Sequence, residues 1–177
     1  MQASISEPTT ARCSAPTVSL SGSWHGFRQN SRGLAGPLVV DEREAVAVDR
    51  DLLWLLQDWR LGKGGQIAGG FGSMMDASMS GRVGNQVTIN GRAPTNLRVR
   101  AGERIRLRLA AVRLARMMAL RFEGHRPIVV AIDGQPCQPH ESDGGRLMMA
   151  PATRIDVALD LQGDPGTPGP CPLAHTW

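Results

Sequence analysis

The chain of 177 residues is long enough to form one domain with a hydrophobic core. Hydrophobic residues make up 41% of it and charged residues 20%, a balance that excludes an intrinsically disordered protein. The formal net charge of +4 comes almost entirely from arginine, since Lys63 is the only lysine. Such a charge would suit a nucleic-acid partner, but we expect the arginines to line the solvent-facing sides of strands instead.

The first predicted elements differ in character along the chain. Residues 1–21 are rich in Ser, Thr, Ala and Pro and lack periodicity, which predicts a disordered tail. The apolar run LAGPLVV, residues 34–40, predicts a short strand. The stretch DLLWLLQDWRL, residues 51–61, fits a buried helix or a buried strand, and the patterns of its neighbours favour a strand. Residues 62–85, which are rich in glycine, predict a long loop.

Arginine alternates with apolar residues in one stretch of the sequence. Residues 102–112 have the period of two that is typical of a strand with one buried face. The predicted buried residues are Ile105, Leu107 and Leu109. The predicted solvent-facing residues are Arg104, Arg106 and Arg108.

Three further stretches have strand patterns. Residues 117–124 and 153–163 also alternate with a period of two, and the second places Arg154, Asp156 and Asp160 on its outer side. Residues 128–136 end on an Asp-Gly turn, a strong hairpin signal. Short strands at roughly ten-residue spacing predict an all-β fold, an antiparallel Greek-key β-sandwich or barrel.

Several stretches, taken in order, resemble consecutive segments of bacterial multicopper oxidases of the laccase-like kind. They are RGLAGPLVV, LLQDWRL, QIAGGFGSMMDAS, GRVGNQVTINGRAP, LRVRAGERIRLRL, LRFEGHRPIVVAIDGQPCQPHE and GGRLMMAPATRIDVALDLQG. Each is a weak signal alone, but their order and spacing are specific. The resemblance implies cupredoxin-like folds, which are antiparallel Greek-key β-sandwiches, usually three to a chain.

The resemblance also implies a division into domains. Residues 22–40 look like the remnant of a first cupredoxin domain, and residues 41–163 like a second, plastocyanin-like one, followed by a flexible tail at 164–177. In three-domain members the second domain holds no copper, separates its neighbours and helps to shape the substrate region. Because residues before Ser21 match nothing in the family, we expect a truncated member.

Copper chemistry in this family implies a large set of ligands. In the family, four coppers oxidise phenolic substrates or metal ions and reduce oxygen. Imidazoles from His-X-His motifs and a His-Cys-His motif hold these coppers. This chain has four histidines and neither motif. His25, in SWHGF, looks like the remnant of a ligand pair and is expected to be at most a weak ligand. We therefore expect copper in the parent family and no stoichiometric copper in this chain.

Three methionines give a second candidate metal site. Met74, Met75 and Met79 lie in the predicted glycine-rich loop, and thioethers are soft ligands that suit cuprous ion. The alternative, that they are loop or gap-filling methionines, is favoured.

Cysteine usage and targeting signals say little about location. The cysteines are odd in number and far apart, so no zinc spacing or disulfide framework appears, although one pair would form in an oxidising compartment. They are Cys13, Cys137 and Cys171. The family is usually periplasmic or exported, but the start of this chain has no apolar segment typical of a secretory signal.

Three functions stay open at this point. The chain is a copper-dependent oxidoreductase by family, reduced to a middle domain that is inactive alone. Alternatively it is a non-catalytic scaffold that associates with other cupredoxin domains, or with itself, through apolar surface. The third possibility is weak cuprous binding by the methionines. Neither nucleic-acid binding nor a membrane span is expected, because stacking aromatics are scarce and no apolar run reaches 18 residues.

Overall fold

The computed structural model describes residues 29–39, 46–95, 97–122 and 124–161, and the backbone of residues 170–171 and 173–176. The strands are β1 Arg50–Trp59, β2 Gln86–Ile89, β3 Leu97–Arg98, β4 Arg104–Ala111, β5 Met118–Phe122, β6 Ile128–Ile132, β7 Gln135–Glu141, β8 Arg146–Met149, β9 Arg154–Asp160, β10 Pro170–Cys171 and β11 Leu173–Thr176. Helix α1 is Met74–Ser78, and a 3₁₀ turn spans Asp143–Gly145.

The strands form a six-stranded, a three-stranded and a two-stranded sheet. Their orders are β2-β1-β4-β9-β6-β7, β11-β5-β8 and β10-β3. Strands far apart in sequence lie side by side, as in a Greek key, and the all-β prediction is confirmed. One pair is not antiparallel: β1 and β4 run parallel. A parallel pair needs a long connection, and here β2, α1 and β3 lie between the two strands along the chain.

The hydrophobic core joins the two larger sheets. Leu56, Leu107 and Leu109 come from the six-stranded sheet, and Leu120 and Met149 from the three-stranded one. Each side chain is no more than 1% exposed, so each burial contributes roughly 1.5–3 kcal/mol. The alternation in the sequence predicted the inward positions of Leu107, Leu109 and Leu120 correctly.

The Asp-Gly turn forms as predicted. Asp133 and Gly134 have φ of 47° and 85°, and they connect β6 to β7 in the left-handed conformation that a tight hairpin turn needs. The Asp133 carboxylate accepts a hydrogen bond of 2.8 Å from the amide of Arg154, which fixes the hairpin against β9.

The strand predicted for residues 34–40 is wrong for residues 34–39. These residues have no regular secondary structure, and Leu34 and Leu38 are 70% and 59% exposed. An apolar run forms a strand only where another strand can pair with it, and no strand among the described residues pairs with this run.

The predicted solvent-facing row of arginines on β4 is also wrong at two of three positions. Arg106 and Arg108 are 4% and 6% exposed, and Asp156, predicted to face outward from β9, is 1% exposed. Arg106 lies 2.8 Å from Asp156, and Arg108 lies 2.6 Å from Asp51 on β1. Because β4 is flanked on both sides by strands that supply carboxylates, its second face is covered by ion-paired side chains instead of water.

The end of the chain differs from the flexible tail predicted for residues 164–177. The backbone of Pro170–Cys171 pairs with β3, and that of Leu173–Thr176 pairs with β5. Residues 1–21, predicted to be disordered, lie outside the described residues. The division into a first-domain remnant and a second domain stays a prediction.

Candidate functional site

The loop between β1 and β2 contains the predicted methionines, and an ion pair connects it to Arg60 at the end of β1. The Ser73 hydroxyl caps α1 by accepting a hydrogen bond of 3.1 Å from the amide of Asp76. The Asp76 carboxylate accepts two hydrogen bonds, of 2.7 and 3.1 Å, from Nη1 of Arg60. These bonds hold the pKa of Asp76 below its ordinary 3.8, so the helix stays anchored to the end of β1 at neutral pH.

The three methionines all lie at the surface of this loop. Met74, Met75 and Met79 are 82%, 68% and 73% exposed. Met74 and Met75 are consecutive helical residues, which lie on different sides of a helix, and Met79 is the C-cap beyond its end. The helix thus does not by itself bring three sulfurs to one point, and their cuprous binding stays a prediction.

Sequence reasoning missed a cluster of arginines around one aromatic ring. Arg82, only 6% exposed, donates to the carbonyls of Ala68 and Gly69, the latter at 3.1 Å, and burial lowers the pKa of its guanidinium. Its Cζ lies 4.2 Å from the Phe71 ring centroid, and Cζ of Arg32 lies 5.2 Å from it. These residues are far apart in sequence, and the only signal was a lone aromatic residue in a glycine-rich loop.

The described histidines do not gather into a ligand set. The predicted remnant ligand His25 lies outside the described residues, and only the backbone of His175 is described. Nδ1 of His140 lies 2.9 Å from the carbonyl oxygen of Gln138, and the buried Nδ1 of His125 has no hydrogen-bond partner. No group of three His, Cys, Asp or Glu side chains within the described ranges could hold a metal ion. These donors do not fit a copper cluster, which needs several converging imidazoles.

Cys137 is the one cysteine whose side chain the structure describes. It is free and half-buried on β7, with Sγ 3.9 Å from the carbonyl oxygen of Val129. Burial raises the pKa of this thiol above its ordinary 9.0, which disfavours the thiolate that copper binds.

A buried arginine follows β4. Arg113 is 3% exposed, and of its guanidinium nitrogens Nη2 donates to the carbonyl of Met149 at 3.2 Å while Nε and Nη1 have no hydrogen-bond partner. Burial lowers the pKa of Arg113 to about 10. The guanidinium stays charged at neutral pH, and burying two of its nitrogens without hydrogen-bond partners costs folding free energy.

Within the described part of the chain, no helix has the length and apolarity needed to cross a membrane.

Comparison with known proteins identifies the family. A multicopper oxidase family model matches residues 51–167, about two thirds of the chain. The chain is 27% identical to multicopper oxidase MmcO of Mycobacterium tuberculosis, covering 78% of this chain and 33% of that protein. It is also 27% identical to cell division protein FtsP of Aggregatibacter aphrophilus, covering 75% of this chain and 28% of that protein.

A solved structure gives the same answer for the fold. The crystal structure of a multi-copper oxidase from Pseudomonas thermotolerans superposes with a TM-score of 0.72 at 31% identity, covering 77% of this chain and 33% of that one. The chain therefore spans about a third of the length of the relatives that it matches. The match of the family model over β1–β9, together with this superposition, shows that the chain belongs to the multicopper oxidase family.

Proposed function

We propose that this chain is the copper-free middle cupredoxin domain of a multicopper oxidase and has no oxidase activity by itself. In this role it holds neighbouring cupredoxin domains in place while they carry the copper. The family is copper-dependent, so copper chemistry belongs to the parent protein.

The histidine count is the observation that carries the proposal. Ten imidazoles and a thiolate are needed to hold the four coppers implied by the family, and this chain has four histidines. Its two fully described imidazoles, His125 and His140, belong to no potential metal group among the described residues. The sandwich core is nevertheless well packed, as a structural domain requires.

Exposed apolar residues supply a surface for the neighbouring domain. Leu34, Leu38, Val39 and Val46 are 70%, 59%, 41% and 44% exposed, and they lie in the segments before β1. Single exposed apolar residues are ordinary, whereas a contiguous apolar patch is typical of a protein contact, and in this proposal these residues form such a patch. The partner that fits is another cupredoxin domain or a second copy of this chain.

Copper loading and turnover test the proposal. The purified chain is incubated with cupric ion, dialysed and assayed for bound copper and for oxidation of a phenolic dye. We expect no turnover above that of free copper and no blue absorption from cysteine-ligated copper. Blue copper together with dye oxidation would overturn the assignment.

Association is tested by the oligomeric state of variants. Analytical ultracentrifugation of the chain should show concentration-dependent self-association that L34S/L38S weakens. The matched control is I132S, which changes an equally apolar residue that is 41% exposed at the β6–β7 turn. If both variants behave alike, the surface before β1 is not the contact.

A non-catalytic cupredoxin scaffold that works outside any oxidase is the second candidate. It is favoured by the similarity to FtsP, which is named for cell division and not for oxidation. Weak cuprous binding is the third, because all three loop methionines are exposed. Titration with cuprous ion in the wild type and in M74L/M75L/M79L decides this point, since only thioether ligation is lost in the triple variant.

A further inference from the structure

A cleft lies between the helical turn at residues 29–33 and the glycine-rich loop after β1. It has a volume of about 520 Å³ and is lined by Arg32, Ile67, Gly69, Gly70 and Phe71. We propose that this arginine cleft binds a small aromatic carboxylate, whose charged group pairs with Arg32 and whose ring packs against Ile67 and Phe71. The inference does not depend on copper or on oxidase activity.

The turn that carries Arg32 is fixed against the sheet. The amides of Arg32 and Gly33 each donate a 3.0 Å hydrogen bond, to the carbonyls of Gln29 and Asn30. Gly33 has a φ of 86°, and a Cβ there would lie 2.6 Å from the Trp59 indole. The turn therefore packs against the Trp59 side chain of β1, and Arg32, which lines the cleft, precedes a position where φ and space favour glycine.

The charge around the cleft is unbalanced. Asp76 is the carboxylate of this loop, and both of its oxygens accept hydrogen bonds from Arg60. Arg82 lies 3.9 Å from Asp76 but donates to neutral carbonyls. Arg32 is exposed and forms no ion pair within the described part of the chain; its contact is the face of Phe71. Counting the described residues alone, the cleft has a surplus of positive charge, and none of their carboxylates pairs with the Arg32 guanidinium.

The geometry of the lining favours an aromatic carboxylate over a simple anion. One planar guanidinium matches the two oxygens of one carboxylate. Ile67 is 37% exposed and gives an apolar wall beside the charge. A Cβ at Gly69 or Gly70 would meet no atom within 4 Å, so these two glycines border open space beside the Phe71 ring.

Benzoate is the probe that tests this site in the full chain. Amide shifts of Gly69, Gly70 and Phe71 are followed by nuclear magnetic resonance during titration with benzoate, benzyl alcohol or inorganic phosphate. We expect saturable shifts with benzoate at these three amides. R32Q should raise the Kd about tenfold, because it removes a charge-assisted hydrogen-bonding partner.

A second arginine provides the matched control. Arg126 has an 83% exposed side chain and lies 3.8 Å from Glu141, outside the cleft. R126Q removes the same net charge and should leave the Kd unchanged. The unfolding curves of both variants are measured to establish that they fold.

Four results would overturn the proposal. Benzoate gives no saturable shifts, R32Q binds as well as the wild type, R126Q weakens binding as much as R32Q, or phosphate or benzyl alcohol binds as tightly as benzoate. The third would mean that net charge alone attracts the anion, and the fourth that the carboxylate and the ring do not act together.

Discussion

Removing one partner of the buried ion pair between β4 and β9 should destabilise the fold strongly. In D156N the guanidinium of Arg106 loses the carboxylate that lies 2.8 Å away, in a place where the two side chains are only 5% and 2% exposed. Breaking a pair at this depth costs about 3–5 kcal/mol. For a chain of this size the melting temperature should fall by about 10 °C.

The matched control is the same substitution four residues along the same strand. Asp160 pairs with Arg104 at 2.5 Å, but these side chains are 52% and 51% exposed. A surface pair contributes less than about 1 kcal/mol, so D160N should have a small effect. Urea unfolding, followed by the fluorescence of Trp54 and Trp59 on β1, measures the unfolding free energy of both variants. Equal losses, or a loss under about 1 kcal/mol for D156N, would refute the reasoning that burial sets the difference.

The remaining predictions concern packing, acid and thiol chemistry. A Cβ at Gly84 would lie 2.6 Å from the backbone of β1, so G84A should cost about 1–3 kcal/mol, whereas G36A, with nothing within 4 Å, should be neutral by the same unfolding assay. Hydrogen bonding from Arg104 lowers the pKa of Asp160 below 3.8. The ionised Asp160 therefore stabilises the fold fully above pH 3.8, and this stabilisation is lost as the pH falls through the pKa of the folded protein. In acid, the unfolding free energy of the wild type should converge with that of D160N. Burial raises the pKa of Cys137, so with the other cysteines replaced by serine its alkylation at neutral pH should be slower than that of a free thiol, and equal rates would contradict the burial.

The features predicted correctly from the sequence are those that local chemistry determines. An Asp-Gly pair between apolar runs specifies a hairpin because both residues accept a positive φ, and Asp133 and Gly134 do so. Alternating apolar residues specify one buried face, and the core residues of β4, β5 and β9 follow that pattern.

The errors have a common physical origin. Alternation shows which residues lie on the second face of a strand, but what covers that face depends on the neighbouring strands. Arg106 and Arg108 are buried because they pair with Asp156 on β9 and Asp51 on β1, strands that are distant in sequence. The strand predicted at residues 34–39 was wrong for the converse reason, since an apolar pattern does not supply a second strand to pair with.

The candidate sites were predictable only in part. The methionines and their exposed loop follow from the sequence, because glycine-rich segments of this length lie at the surface. The arginine cleft does not, because it depends on a turn near residue 32 resting on Trp59 and meeting a loop some forty residues later. Tertiary contacts of this kind leave no local periodicity.

Copper content after loading tests the central claim most directly. The full chain is saturated with cupric ion, dialysed against a weak chelator and analysed for copper atoms per chain, with absorption recorded on the same sample. We expect far less than one copper per chain and no blue absorption, because four histidines cannot supply the ligands of the family's copper centres. One or more tightly held coppers per chain with blue absorption would contradict it.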